Sequence, residues 1–349
     1  MGRVSAARLT DAVERIAVGA DDRDLRSRVL AAIQESIPFD AHAFLLTDPM
    51  TSVGCSPVAA VPDITTLPTL IRLKYLTSQN RWTELPAGGC ATLWNVTGGR
   101  PERSLLWREY LSGFGITDVA SVACTDRFGW WGFLDMWRRG TLFTDDEMIA
   151  LAAVLPVITS RLRRVQAAGF RAGGVHPGLR GPGAIILSPD LAIRSRTAQT
   201  EDWLTALLPP EAGRSSVPAS AYNVAAQLLA AEAGIDAHPA QARVHLGGGT
   251  WLTLRAARLL GPAPAEHQDI AVTMETSSPT ERRDIFSRSH GLTSRESEVL
   301  CHLADGADTR IVAKAMAITE LTVQDHLKSI FAKTSTSSRR QLLALALGG

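Results

Sequence analysis

The sequence predicts an α+β multidomain fold: two antiparallel-sheet domains followed by an all-α domain of four helices. Three observations carry this. Two joints, a Gly/Pro-rich one over 167–183 and a polar one over 277–290, divide the 349 residues into three blocks. The first two blocks each hold short strand-like runs around tight turns. The third reads as consecutive capped helices. The expected boundaries are 1–166 and 183–276 for the sheet domains, 277–290 for a linker helix and 291–349 for the helical domain.

The first block begins with a helix marked by Leu25, Val29, Ile33 and Ile37 and stopped by Pro38. Asp21 and Asp22 precede it. They follow no apolar strand, so capping of this helix is the better reading than a phospho-acceptor pair. Residues 41–47 read as a strand that ends at the turn Asp48-Pro49. Residues 118–125 and 130–137 read as two strands around the turn Asp126-Arg127-Phe128-Gly129. Thr144 then caps a long helix, with Asp145, Asp146 and Glu147 favourably placed in its first turn. Met148, Leu151, Leu155 and Ile158 mark its apolar face.

In the second block, 183–187 and the residues after Ser188-Pro189-Asp190 read as paired strands. Helices are expected near 197–208 and 222–233. A hairpin over 242–255 turns at Gly247-Gly248-Gly249, and 270–274 closes the sheet. His245 before the glycines is read as part of that turn, because no Gly-x-Ser-x-Gly elbow accompanies it. Residues 279–288 are expected to form a short linking helix.

The third block is the most informative. Thr293 and Glu296 form a capping box. Leu292, Val299, Leu300 and Leu303 share one helical face, and Gly306 can take the left-handed conformation that stops a helix. A second helix over 308–316 buries Val312, Ala313 and Met316. Ile318 bridges a tight turn, and Thr319 caps a third helix over 320–333 whose core face is Val323, Leu327, Ile330 and Phe331. A last helix covers 339–345. This is a helix-turn-helix order, and the third helix is the one that would enter a DNA major groove. Glu320, Leu321, Thr322, Gln324 and Asp325 sit at its start, with Lys328 a turn on. Gln suits adenine, and a Thr methyl suits thymine. Lys328, Lys333, Arg339 and Arg340 supply charge for phosphates. His326 is read as a packing residue at the core edge.

On these residues the segment 291–345 resembles the DNA-binding domain of the LuxR/GerE family. The resemblance implies a four-helix domain that binds DNA as a dimer, with Thr322, Val323, Gln324, Lys328 and Lys333 at DNA-contact positions. Two departures stand out: Ile311 where a charged residue is usual, and Thr334-Ser335-Thr336-Ser337-Ser338 in place of a Leu-Gly-aliphatic link. Residues 24–166 are similar to a GAF-like domain at 91–100, 104–111 and 129–134. The second block resembles a PAS-like domain. The whole chain therefore resembles a LuxR-type regulator with two sensor-like domains in front.

Net charge is +1, so the basic signal is local to the third block. Six of the eight tryptophans lie in the first block. Trp82, Trp94, Trp130 and Trp131 are candidates for lining an effector pocket, against a core-packing role. Cys55, Cys90, Cys124 and Cys301 have no metal-type or disulfide spacing and fit reduced thiols in a cytoplasm. Cys301-His302, adjacent on a helix, is poor geometry for shared metal ligation. No nucleotide fingerprint, Walker loop or His-Glu-x-x-His pair occurs, so no catalytic site, metal or cofactor is expected. Met1-Gly2-Arg3 lacks the apolar run of a signal peptide, and no run approaches the about 20 residues that span a bilayer. The expected protein is a cytoplasmic, dimeric regulator of double-stranded DNA that reads an inverted repeat. It answers to a small-molecule effector or partner; the alternative is front domains that serve only dimerisation or protein contact.

Overall fold

The computed structural model describes residues 5–17, 19, 21–85, 89–171, 181–207, 219–262, 264 and 267–348. Gly173, Gly174, Pro177 and Gly178 of the first joint lie outside these residues, as do Leu208 and Gly349.

The first block runs α1 (Ala6–Glu14), α2 (Asp22–Ser36), β1 (Ala41–Thr47), β2 (Gly54–Ala60), α3 (Leu67–Leu76), β3 (Cys90–Thr92), α4 (Leu93–Val96), α5 (Leu105–Glu109), β4 (Ile116–Asp126), β5 (Gly129–Arg139) and α6 (Asp145–Ala168). Asp21 caps α2 by accepting from the Arg23 and Asp24 N–H groups. Thr144 and Glu147 close a full capping box on α6, which runs on through Pro156. The helix α1 is not among the expected elements, although Ser5 caps it and Leu9 and Val13 face inward at i, i+4 spacing. The turn between β4 and β5 needs glycine at 129: φ is +147°, and a Cβ there would meet the Pro49 carbonyl oxygen at 2.3 Å.

The second block runs β6 (Gly183–Leu187), β7 (Ile193–Arg196), α7 (Gln199–Leu207), α8 (Ala219–Glu232), β8 (Gln241–His245), β9 (Trp251–Arg258) and β10 (Ile270–Thr276). The third runs α9 (Pro279–Ser289), α10 (Ser294–Ala304), α11 (Thr309–Met316), α12 (Glu320–Thr334) and α13 (Arg339–Leu347).

The first sheet has the order β2-β1-β5-β4-β3 and the second β7-β6-β10-β9-β8. Counted within each block, these are the same order. Every pairing is antiparallel. On the first sheet, α6 covers the face of Gly132, where Leu162 packs. Residues of opposite parity point the other way, and there Lys74 of α3 pairs with Asp135 at 2.7 Å.

The helix α8 joins the two blocks. It packs on β8, β9 and β10 of its own sheet and on α3 and β2 of the first block. Ala221, Val224, Ala225 and Ala230 are fully buried, which suits a helix apolar nearly all round. The sequence treats 1–166 and 183–276 as separate units, yet their apolar side chains form one continuous core. Polar contacts reinforce it. Arg243 grips Asp48 with Nε at 2.6 Å and Nη2 at 2.7 Å, and Arg81 holds Asp236 at 2.7 Å, all at buried positions. Burial opposes ionisation of Asp236, but the His238 N–H and Arg81 outweigh it and hold the carboxyl at about 2.

Among the described residues, no helix is long and apolar enough to cross a membrane.

Candidate nucleic-acid interface

The helix-turn-helix is built by caps. Thr293 accepts from the Glu296 N–H at 3.2 Å, and the Glu296 carboxylate accepts from the Thr293 N–H at 2.6 Å. Gly306 has φ +84°, as its position after α10 requires. Asp308 caps α11 through the Ile311 N–H at 2.8 Å. Ala317 ends α11 in the left-handed region at φ +53°, and the Ile318 N–H reaches back to the Ala313 oxygen at 3.0 Å. Thr319 caps α12 through the Thr322 N–H.

Leu300, Leu303, Val312, Leu327, Ile330 and Leu342 close the core beneath α12. Its outer face carries several of the expected DNA residues. Gln324, Asp325 and Lys328 are exposed, and Thr322 is half-buried with its hydroxyl 2.8 Å from that of Thr319. Lys328 lies 3.4 Å from Asp325, a surface pair that leaves the ammonium in water. Leu321 is 70% exposed at the tip of the helix. His326 is half-buried, at the edge of the core.

Three expected contacts are placed differently. Val323 is fully buried, so its side chain holds α12 to the core and cannot reach a groove. Lys333 points back to Glu296, with Nζ at 2.6 and 2.8 Å from the two carboxylate oxygens. The Ser329 hydroxyl donates to the same carboxylate at 2.6 Å. Burial alone would raise the Glu296 carboxyl, but Lys333, Ser329 and the Thr293 N–H together hold it at about 2. Arg339 hydrogen-bonds the Thr309 hydroxyl, which also accepts from Gln324 at 3.4 Å. Thr309 thus ties the start of α11 to both α12 and α13, a role that no motif in the sequence signals.

The hydroxyl-rich link is ordered by its own hydrogen bonds. Thr334 bonds back to the Ile330 oxygen at 2.8 Å and touches the Thr336 hydroxyl at 2.9 Å, while Ser338 caps α13. Ile311 stays exposed on α11.

The domain is docked on the rest of the chain through α9. Ser278 and Glu281 form a capping box at its start. Arg282 donates to the Gly249 oxygen in the β8–β9 hairpin and to the Leu345 oxygen at the end of α13. It faces the Phe170 ring at 5.1 Å, and burial pulls its guanidinium down to about 10. Phe170 stacks on Trp251 at 4.7 Å and meets Phe286 edge-on at 5.2 Å. His290 packs on Phe286 at 4.1 Å, and burial lowers it to about 4. The linker helix thus belongs to a small aromatic core shared by all three blocks.

The four tryptophans proposed for a pocket do not share one surface. Trp82 is fully buried, stacked on Phe133 at 4.4 Å, with its Nε1 donating to the Ser52 oxygen. Trp131 is fully buried and donates to Asp126. Trp130 is half-buried, and Trp94 is exposed. Among the described residues, no group of three or more His, Cys, Asp or Glu is arranged to hold a metal ion.

Residues 290–346 match the family described as bacterial regulatory proteins, luxR family. The C-terminal domain is therefore a LuxR-family helix-turn-helix domain. Over 61 residues the chain is 39% identical to the transcriptional activator protein ExaE of Pseudomonas putida, covering 18% of this chain and 28% of that protein. Over 53 residues it is 36% identical to the monoamine regulon transcriptional regulator of Klebsiella aerogenes, covering 15% and 23%. The chain thus spans about a quarter of each relative's length. The crystal structure of Escherichia coli SdiA aligns over 98% of this chain and 96% of its own, at 12% identity and a TM-score of 0.35.

Proposed function

We propose that the chain is a DNA-binding transcription regulator that acts as a homodimer on an inverted repeat. The observation that carries this reading is α12, standing outward on a LuxR-family domain with Gln324 and Lys328 exposed. A recognition helix set in this way meets base edges with its N-terminal residues. The relatives' names, both of transcription regulators, support it. Residues 1–276 are read as the regulatory body, GAF-like then PAS-like; two five-stranded antiparallel sheets of one order favour that assignment. A small-molecule effector or a partner acts on this body and shifts the population of DNA-binding arrangements, which requires unequal affinity for them. The reading places the protein in the cytoplasm and assigns it no catalysis.

Selection from random DNA, with full-length protein and residues 284–349 in parallel, tests the function. One inverted repeat enriched by both is the expected result. Enrichment of nothing by either would refute the proposal. On the selected site, Lys328→Ala should weaken binding on all sequences and lower the salt slope by about 1. Gln324→Ala should relax preference at one or two base pairs, at about 1–3 kcal/mol of discrimination. An unchanged preference would remove Gln324 from direct readout.

A further inference from the structure

A cleft of about 680 Å³ opens where the first block meets the DNA-binding domain. Its size falls within the range of about 300–1,000 Å³ that small-molecule sites occupy. It is not part of the α12 face, and none of the four candidate tryptophans lines it. One wall is the β4–β5 turn, with Arg127 and Phe128. The opposite wall is α9, with Arg283 and Arg288, and the floor is one side of α10, from Leu292 just before it to Cys301 in its last turn.

The lining is cationic with an apolar side. Three arginines face a single carboxylate, Asp284, which sits 3.3 Å from Arg283. Arg288 donates one N–H to the Phe128 oxygen at 2.7 Å, and Arg127 stacks 4.6 Å from the Phe128 ring centroid. Neither has a carboxylate partner among the described residues. A guanidinium is a planar fork suited to phosphate and carboxylate oxygens. Phe128, partly exposed, lies between the Arg127 and Arg163 guanidiniums, 4.6 and 4.7 Å from its ring centroid, so its ring edge is the apolar surface beside those forks, above the buried Leu292.

We infer that this cleft binds a small phosphorylated molecule with a flat apolar portion, and that its occupancy sets how the DNA-binding domain is held. The anion bridges Arg127 of the first block to Arg283 and Arg288 of α9, while the apolar portion lies against the edge of the Phe128 ring. Because the two walls belong to different parts of the chain, a molecule that touches both has different affinities for docked and undocked arrangements. That difference couples the cleft to DNA binding reciprocally. The coupling rests on the chain being a DNA-binding regulator; the binding does not.

Cys301 in the floor is half-buried and reports occupancy, with Cys90, outside the cleft, as an internal reference. The full-length chain is titrated with 1-naphthyl phosphate, and alkylation by iodoacetamide is located by peptide mass spectrometry. The expected result is Cys301 alkylation slowed roughly fivefold or more, as burial under a ligand implies, with Cys90 unchanged. 1-Naphthol should not protect at the same concentrations. Arg127→Ser should raise the half-protecting concentration by about tenfold, the loss of one charge-assisted contact. Equal protection by naphthol, no protection of Cys301, or an unaffected Arg127→Ser protein would each overturn the inference. DNA binding is measured on the same samples. Protection with unchanged DNA affinity removes the coupling and leaves the site. Protection without any DNA binding refutes the proposed function, whereas DNA binding without protection refutes the cleft.

Discussion

Glu296 has three tasks at once. It closes the capping box of α10, accepts the Lys333 ammonium and accepts the Ser329 hydroxyl, so it fastens α12 to α10. Its carboxyl is held at about 2, below the ordinary 4.5, so the folded state favours the charged form. The stabilisation is fully present above about 4.5 and is lost as pH falls from there towards 2. Glu296→Gln should flatten the acid limb of domain stability in that window. Parallel acid melts of the two proteins would contradict the assignment. Lys333→Met should cost about 1–3 kcal/mol, because it leaves a mostly buried carboxylate without its cation. A salt slope for DNA unchanged in this variant would mark Lys333 as structural; a slope lower by about 1 would mark it also as a phosphate contact.

At the scale of elements, the turn between α11 and α12 carries a backbone strain. Ala317 adopts φ +53° between α11 and α12, where a Cβ costs roughly 1–2 kcal/mol. Ala317→Gly should therefore raise unfolding free energy by about 1 kcal/mol, measured by urea titration, with α12 and its DNA preference intact. A loss of stability would mean that the alanine methyl packs better than its exposure suggests. The elements themselves were mostly legible in the sequence because they rest on local signals. Thr144 with Glu147 and Thr293 with Glu296 announced helix starts, and Gly306 announced a stop. The outward face of α12 was legible for the same reason: with Val323, Leu327 and Ile330 inward, Gln324 and Lys328 had to point away. What could not be read was which surface charge would be taken by a distant partner. Lys333 and Glu296 lie 37 positions apart, and no helical period relates them.

At the scale of the whole molecule, the joining of the blocks depends on contacts that a linear reading does not see. Asp48 meets Arg243 across 195 positions and Arg81 meets Asp236 across 155, and each residue alone looks like ordinary surface charge. The docking of the DNA-binding domain has a titratable point at His290. Burial lowers this imidazole from 6.5 to about 4, so the docked state requires it neutral. Its contribution is present above about 6.5 and is lost as pH falls towards 4. Acidification through that window should loosen the domain, seen as a change in Trp251 emission or in the radius of gyration. His290→Phe should remove the response. A response that persists in that variant would place the sensitivity elsewhere.

The position of α8 between two sheets sets a timetable for synthesis. The face of the first sheet that α3 shares with Trp82 and Phe133 is completed by a helix that ends at Glu232. A ribosome that has finished α6 must still add about 60 residues, which takes roughly 3–12 s at typical rates. During that interval the nascent chain presents an unfinished apolar face, and the first block reaches its final packing only when the second arrives.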